Sequence, residues 1–202
     1  MNTERCVIDA MEDNSVYKFR DVLAEQLSLI TRSNRSIIFL CIGTDRSTGD
    51  SLGPLVGEKL KFLTRDNIFF YGNLEKPIHA KNLCETISYI HSTHENPYII
   101  AIDACLGSLQ NVGKVFIEAK PLYPGSAMNK DLPKVGDLSI TGIVNISGAL
   151  EFMVLQNTRL YTVMKLADVI SNGIYHCILK TVGNKKSLDI TTTALFSEQI
   201  LL

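Results

Sequence analysis

The sequence predicts an α/β fold, a parallel sheet flanked by helices on both faces, and three observations lead to it. Two short apolar runs rich in β-branched residues, 36–42 and 97–102, have the length and composition of strands buried on both sides. Segments with apolar residues at helical spacing lie between and around them, so strand and helix alternate as a parallel sheet requires. Apolar residues make up 46% of the 202, enough for a sizeable core and too many for a disordered chain. At this length a single domain over residues 1–202 is the simplest organisation.

Residues 1–15 are mixed and polar and are expected to fray. Val16, Phe19, Val22, Leu23, Leu27 and Ile30 then recur at helical spacing and predict an amphipathic helix over 16–30. The strand at 36–42 is ended by Gly43, which opens a loop rich in Gly, Ser and Asp through Gly49. Leu52, Leu55, Val56, Leu60 and Leu63 restore the helical period over 51–63. Further along, a short strand is expected at 67–71, a helix at 80–91, the second buried strand at 97–102, and an alternating strand near the sheet edge at 113–119. Pro121, Pro124 and Pro133 mark 120–136 as a long loop, and loops of that length inside compact domains are usually functional or mobile. Residues 137–144 read equally as a strand or as an extended lead into a helix, while 147–155 and 161–179 read as helices. The tail from Asn184 to Leu202 is ambiguous.

Charge and cysteine content narrow the function classes. A formal net charge of −1 gives no electrostatic footprint for nucleic acid or for an anionic membrane. No apolar run approaches the roughly 20 residues that span a bilayer, and the N-terminus has no signal-peptide pattern. The five cysteines are odd in number and never spaced as CxxC, which argues against a disulfide framework or a structural zinc site. A reducing, cytoplasmic setting is therefore expected. Homo-oligomerisation stays open.

In open α/β sheets, sites form outside the carboxyl ends of the strands. That rule points to the loop after Ile42 and the turn after Ile102, each of which holds an aspartate. The first, Gly43 to Pro54, lacks Gly-Lys-Ser/Thr and the GxGxxG spacing, and Asp45 and Asp50 would repel a phosphate. Asp50 stands where an N-cap is favoured, and Asp103 where an Asx-turn is common, so each has an ordinary structural explanation. Their coincidence is what points to chemistry: two acids after neighbouring strands would face one crevice. Carboxylates brought together cannot easily both ionise; one pKa rises and the pair shares a proton. The ionised member can then act as general base on a water while the protonated one polarises a carbonyl. The same pair could instead hold a divalent metal. His79, His91, His94 and His176 offer no natural third ligand, and His91 and His94 read as solvent-exposed or helix-terminal residues. Cys105 lacks an evident histidine partner and reads as a buried small hydrophobe.

The segments Cys41 to Pro54, Ile102-Asp103-Ala104-Cys105-Leu106-Gly107, Tyr123 to Lys130 and Val135 to Asn145 resemble the YyaC family of sporulation proteins. That family is similar to the germination protease of spore-forming bacteria and, more distantly, to the hydrogenase-maturation endopeptidases. The resemblance implies a three-layer α/β/α sandwich with a mostly parallel sheet. It implies peptide hydrolysis by two aspartates, matched here by Asp50 in its Gly-Asp-x-Leu-Gly-Pro context and by Asp103 in its strand-end Asp-Ala context. It also implies a protein or peptide substrate, with small acid-soluble spore proteins as the candidates. Maturation endopeptidases bind a metal through two acids and a histidine; this chain has no counterpart to the histidine, and Asp137 is the only substitute in the corresponding stretch. No cofactor is therefore assigned, with a divalent metal left open. Within the loop through Lys130, Asn129 would donate to a peptide carbonyl and Lys130 would lower the pKa of one acid. Asp45 is a further candidate for orienting or binding substrate.

The expectation is thus an endopeptidase using Asp50 and Asp103 on a bound water, without nucleic acid or membrane as partner. Two alternatives stand beside it: a catalytically silent peptide-binding or regulatory protein, and a metal-dependent hydrolase or maturation factor.

Overall fold

A computed structural model describes residues 5–33, 35–124 and 133–183. The described elements, in chain order, are β1 (Cys6–Asp9), α1 (Ser15–Leu27), β2 (Ile37–Cys41), a 3-10 turn (Gly49–Ser51), α2 (Leu52–Leu60), β3 (Ile68–Tyr71) and α3 (Leu83–Thr93). They continue with β4 (Tyr98–Gly107), a second 3-10 turn (Leu109–Asn111), β5 (Lys114–Glu118), β6 (Leu138–Ile146), α4 (Glu151–Gln156) and α5 (Leu160–Thr181). No helix among the described residues is long and apolar enough to cross a membrane.

One six-stranded sheet organises the chain, in the order β1-β5-β6-β4-β2-β3. Strands β3, β2, β4 and β6 run parallel, and β5 is antiparallel to both β6 and β1. The expected α/β fold, a mostly parallel sheet flanked by helices, is what the chain adopts. Its two apolar faces are sorted by strand alternation. Ile37, Phe39 and Cys41 of β2 and Ile100 and Ile102 of β4 join the core under α1, α2 and α5. Ile38, Leu40, Ile99 and Ala101 form a smaller core under α3. In α1 the buried side of the helix is Phe19, Leu23 and Leu27, spaced by four. The long α5 buries Val163, Leu166, Ala167, Ile170, Ile174, Cys177 and Ile178 against the same core.

Several expectations needed correction. Residues 6–9, expected to fray, form β1 and pair in register with β5 from Cys6↔Ile117 to Asp9↔Lys114. The 113–119 strand is second from the edge, near it as expected, with β1 outside it. Residues 138–146 resolve the open choice as a strand, β6, because every second apolar side chain from Leu138 to Ile140 goes to the main core. Strand β4 runs five residues past the expected end at Ile102, to Gly107.

Candidate active site

The site is built on a step in the sheet. The ladder between β2 and β4 ends at Cys41↔Ile102, closed by Ile42 N–H donating to the Ile102 carbonyl at 2.7 Å. Beyond that point β4 continues beside β6 alone, with Asp103 opposite Thr141. Asp103 is therefore not at a strand end; it is the first residue of β4 with no neighbour on β2. Its side chain shares the face of Ile99 and Ala101, and it is partly buried.

The loop after β2 folds down over this step. Gly43 donates to the Ile78 carbonyl at 2.7 Å, Thr44 N–H to the Asp50 carbonyl at 3.0 Å, and Asp50 N–H to the Ser47 carbonyl at 3.1 Å. Gly43 has φ +143°, and a Cβ there would lie 2.1 Å from the Asp50 carbonyl oxygen. Only glycine lets the loop close so tightly. Likewise a Cβ on Gly53 would lie 2.0 Å from the Ile42 carbonyl, so the first turn of α2 rests directly on the end of β2. Asp50 is held in the 3-10 turn between loop and helix.

Neither ordinary explanation of the two acids holds. The residue before the turn is Thr48 and the residue before α2 is Ser51, and no side chain caps either helix. Asp103 accepts a hydrogen bond at Oδ1 from the next residue's N–H, Ala104, at 2.8 Å, within a strand and not in an Asx-turn. That leaves Oδ2 for the proton. Burial, above all, pushes the Asp103 pKa up to about 8; the Ala104 N–H opposes this and the nearby Asp50 charge adds to it. Burial also raises the Asp50 pKa, opposed by the Ser47 hydroxyl. Ser47 Oγ is buried and makes no hydrogen bond of good geometry. The Asp50 charge reaches Asp103, as the smallest of the three effects on it.

The other candidates fare differently. Asp45 is exposed on the loop, without a hydrogen bond or ion pair to the described residues. Asn129 and Lys130 lie outside the described residues. Asp137 is at the amino end of the sheet, where its Oδ2 accepts from Ile99 N–H at 2.8 Å. Four strand positions separate it from Thr141, about 13 Å; it cannot join the pair. His94 is helix-terminal, one of the two places expected for it, as the residue that caps the end of α3; it is 8% exposed, its Nε2 lies 2.9 Å from the Tyr71 hydroxyl, and its ring packs on Phe69. Among the described residues no group of three His, Cys, Asp or Glu side chains could hold a metal. Two carboxylates without a third donor do not fit the two-acid-plus-histidine set. Burial and the Asp103 charge raise the Cys105 thiol, which makes it a poor nucleophile.

The sequence reading missed Ser139, Thr141 and Ile143 of β6, which continue the Asp103 face sideways. Their signal was the alternation in Leu138–Ile146, hidden while that segment could not be assigned.

A family profile described as "Protein of unknown function (DUF1256)" matches residues 7–173. The chain belongs to this family. It is 53% identical over 147 residues to the "Uncharacterized protein YyaC" of Bacillus subtilis (strain 168), covering 73% of this chain and 72% of that protein. The family spans β1 to most of α5, and therefore both aspartates. Among solved structures, a [NiFe] hydrogenase maturation protease, HycI from Thermococcus kodakarensis KOD1, aligns with a TM-score of 0.46 and 15% identity, over 79% of this chain and 99% of that one.

Proposed function

We propose that the protein is a peptide hydrolase in which Asp50 and Asp103 act together on one water. The supporting observation is Asp103, at the β2–β4 step, raised to about 8 chiefly by burial and in smaller part by the Asp50 charge. At neutral pH Asp103 carries a proton on Oδ2 and donates it as a hydrogen bond to the substrate carbonyl. Asp50 is the ionised partner and takes a proton from water as the water oxygen attacks the carbonyl carbon. The tetrahedral intermediate collapses with cleavage of the C–N bond, and the proton held by Asp50 passes to the leaving amine. Water is consumed and both acids return to their starting states. No nucleophilic side chain and no metal is required. The substrate is a polypeptide, and the resemblance to germination protease extends this to small acid-soluble spore proteins.

The test is cleavage of a purified small acid-soluble spore protein, and of an unstructured polypeptide such as casein, by the full chain. Asp50→Asn and Asp103→Asn should each lower turnover by about 100-fold or more, the usual contribution of a general acid or base. Chelator should leave the wild-type rate unchanged. Equal turnover in wild type and both variants would remove the acid pair from the chemistry; binding without turnover in all three would make the protein a peptide-binding one.

A further inference from the structure

On the sheet face that carries Asp103, α3 packs over β2 and β4, but no helix covers β5 and β6 among the described residues. Strand alternation accounts for this. In β6, Leu138, Ile140 and Val144 enter the main core, so Ser139, Thr141 and Ile143 turn to the opposite face. In β5, Val115 and Ile117 do the same, leaving Phe116 and Glu118 beside them. A sheet face with no helix over it is ordinarily solvated and polar.

This one is recessed. After β5 the chain folds back, with Lys120 N–H donating to the Glu118 carbonyl at 2.8 Å. Leu122 and Val135 then exchange backbone hydrogen bonds of 2.8 Å each and raise a wall over the face. The result is a cavity of about 250 Å³, floored by Ser139, Thr141 and Ile143 and walled by Phe116, Leu122 and Cys105. Phe116 and Ser139 are only 3% and 2% exposed. Its one carboxylate, Glu118, is neutralised by Lys120 at 2.9 Å and Arg5 at 3.8 Å. The cavity has room for about eight waters at roughly 30 Å³ each, or for one large side chain.

Its position gives it meaning. Thr141, on the floor, is the register partner of Asp103, one strand spacing of about 4.8 Å away. Cys105, in the wall, is two residues beyond Asp103 on the same face. The cavity thus lies one strand away from Asp103. We infer that it is the subsite for a residue flanking the hydrolysed bond, and that it selects a large aliphatic or aromatic side chain from an extended polypeptide. The inference rests on the hydrolytic reading. In an extended peptide neighbouring side chains point to opposite sides, so one can enter the cavity while the next turns away. Phe116, Leu122 and Ile143 supply the apolar part of the lining, and the Arg5 guanidinium, 3.7 Å over the Phe116 ring, must slide aside or stack on the entering side chain.

Cys105 is partly buried and its thiol is slow to react, so its labelling by excess maleimide is followed over hours at pH 8.5, where the rate in peptide-free protein is measured first as the reference. Full-length protein is labelled with a maleimide in the presence of capped decapeptides carrying Leu, Phe, Glu, Lys or Gly at one fixed position in an Ala/Ser background. Labelling is read residue by residue by mass spectrometry. The Leu or Phe peptide should slow Cys105 labelling at least tenfold and leave exposed Cys84 unchanged, while Glu, Lys and Gly peptides should do neither. Thr141→Leu should abolish the protection, and Phe116→Ala should move it toward the larger side chain. If Thr141→Leu fails to fold, the wild-type labelling and Phe116→Ala decide. Identical Cys105 labelling with every peptide would overturn the subsite. Turnover lost in the Asp variants alongside a side-chain preference indifferent to Phe116→Ala would also dismiss the subsite and keep hydrolysis. Protection by the Leu peptide with no turnover of any substrate would keep the cavity as a peptide-binding pocket and dismiss hydrolysis.

Discussion

Replacing Asp103 by Asn should remove the proposed activity and stabilise the fold at neutral pH. The carboxyl rises from an ordinary 3.8 to about 8 in the folded chain, chiefly through burial. Between those values the folded protein holds a proton that the unfolded chain has released. Folding therefore binds protons in this window, and stability must fall as pH rises, by at most about 1.4 kcal/mol per pH unit. From 3.8 to pH 7 the loss accumulates to roughly 4 kcal/mol, and it levels off above the folded pKa. Asparagine is nearly isosteric, keeps an oxygen to accept from Ala104 N–H, and does not titrate.

The difference between Asp103→Asn and wild type should accordingly be near zero at pH 4, grow to about 4 kcal/mol at pH 7, and be flat beyond pH 9. In a domain of this size each kcal/mol moves Tm by about 2–4 °C, so the variant should melt roughly 8–16 °C higher at pH 7. Thermal melts followed by circular dichroism at one-unit pH intervals read this directly. A Tm difference independent of pH, or a variant less stable than wild type at pH 8, would show that Asp103 is ionised in the folded protein, and the assignment of general acid would go with it.

Three further outcomes follow from the same geometry. The kcat/KM profile on a polypeptide substrate should fall above about pH 8 as Asp103 loses its proton, and on the acid side above the normal carboxylate range because burial raises Asp50; a profile flat from pH 5 to 10 contradicts the paired roles. Gly43→Ala should destabilise by about 2–3 kcal/mol and lower turnover, since its φ of +143° and the 2.1 Å approach to the Asp50 carbonyl leave no room for Cβ; urea titration measures it, and an unchanged midpoint would mean that the loop is not pinned there. Leu150, 71% exposed at φ 58° before α4, should tolerate Gly with a gain of about 1 kcal/mol, because the left-handed conformation penalises a branched side chain; a lower Tm in Leu150→Gly would place a packing role on that leucine.

Elements buried on both sides were readable in the sequence because water exclusion writes itself into composition. Every residue of β2 is buried, and its run Ile37–Cys41 is uninterrupted by polar groups. The helices α1 and α5 were legible for the related reason that one face of each repeats against the core. β1 was not, since four residues, with Val7 half exposed, carry too little alternation to stand out from a polar terminus. His94 stands at the end of α3, a place the sequence allowed, but its burial depends on Tyr71 and Phe69 of β3, contacts that no local pattern encodes. Around the two candidate aspartates the local surroundings were not legible: the N-cap expected of Asp50 is displaced by a 3-10 turn, and the cavity beside Thr141 needs a loop from after β5 to close it.

The misjudged end of β4 shows what makes this pair unusual. Reading an aspartate as the end of an apolar run assumes that the strand stops where apolar composition stops. Here the apolar run stops where the neighbour stops: past Ile102 there is no β2 to pack against, yet β6 still holds the backbone through Gly107. A carboxyl one ladder position earlier, at Ile102, would point to the other face of the sheet, into the main core. One placed beyond Gly107 would be hydrated and would titrate as an ordinary acid. Asp103, the first residue past the step, is desolvated enough to hold a proton at neutral pH and has no β2 residue beside it. The loop that Gly43 and Gly53 clamp onto the end of β2 brings the second acid to that same step. The step in the sheet, more than either aspartate's identity, is what turns two carboxyls into a candidate acid and base.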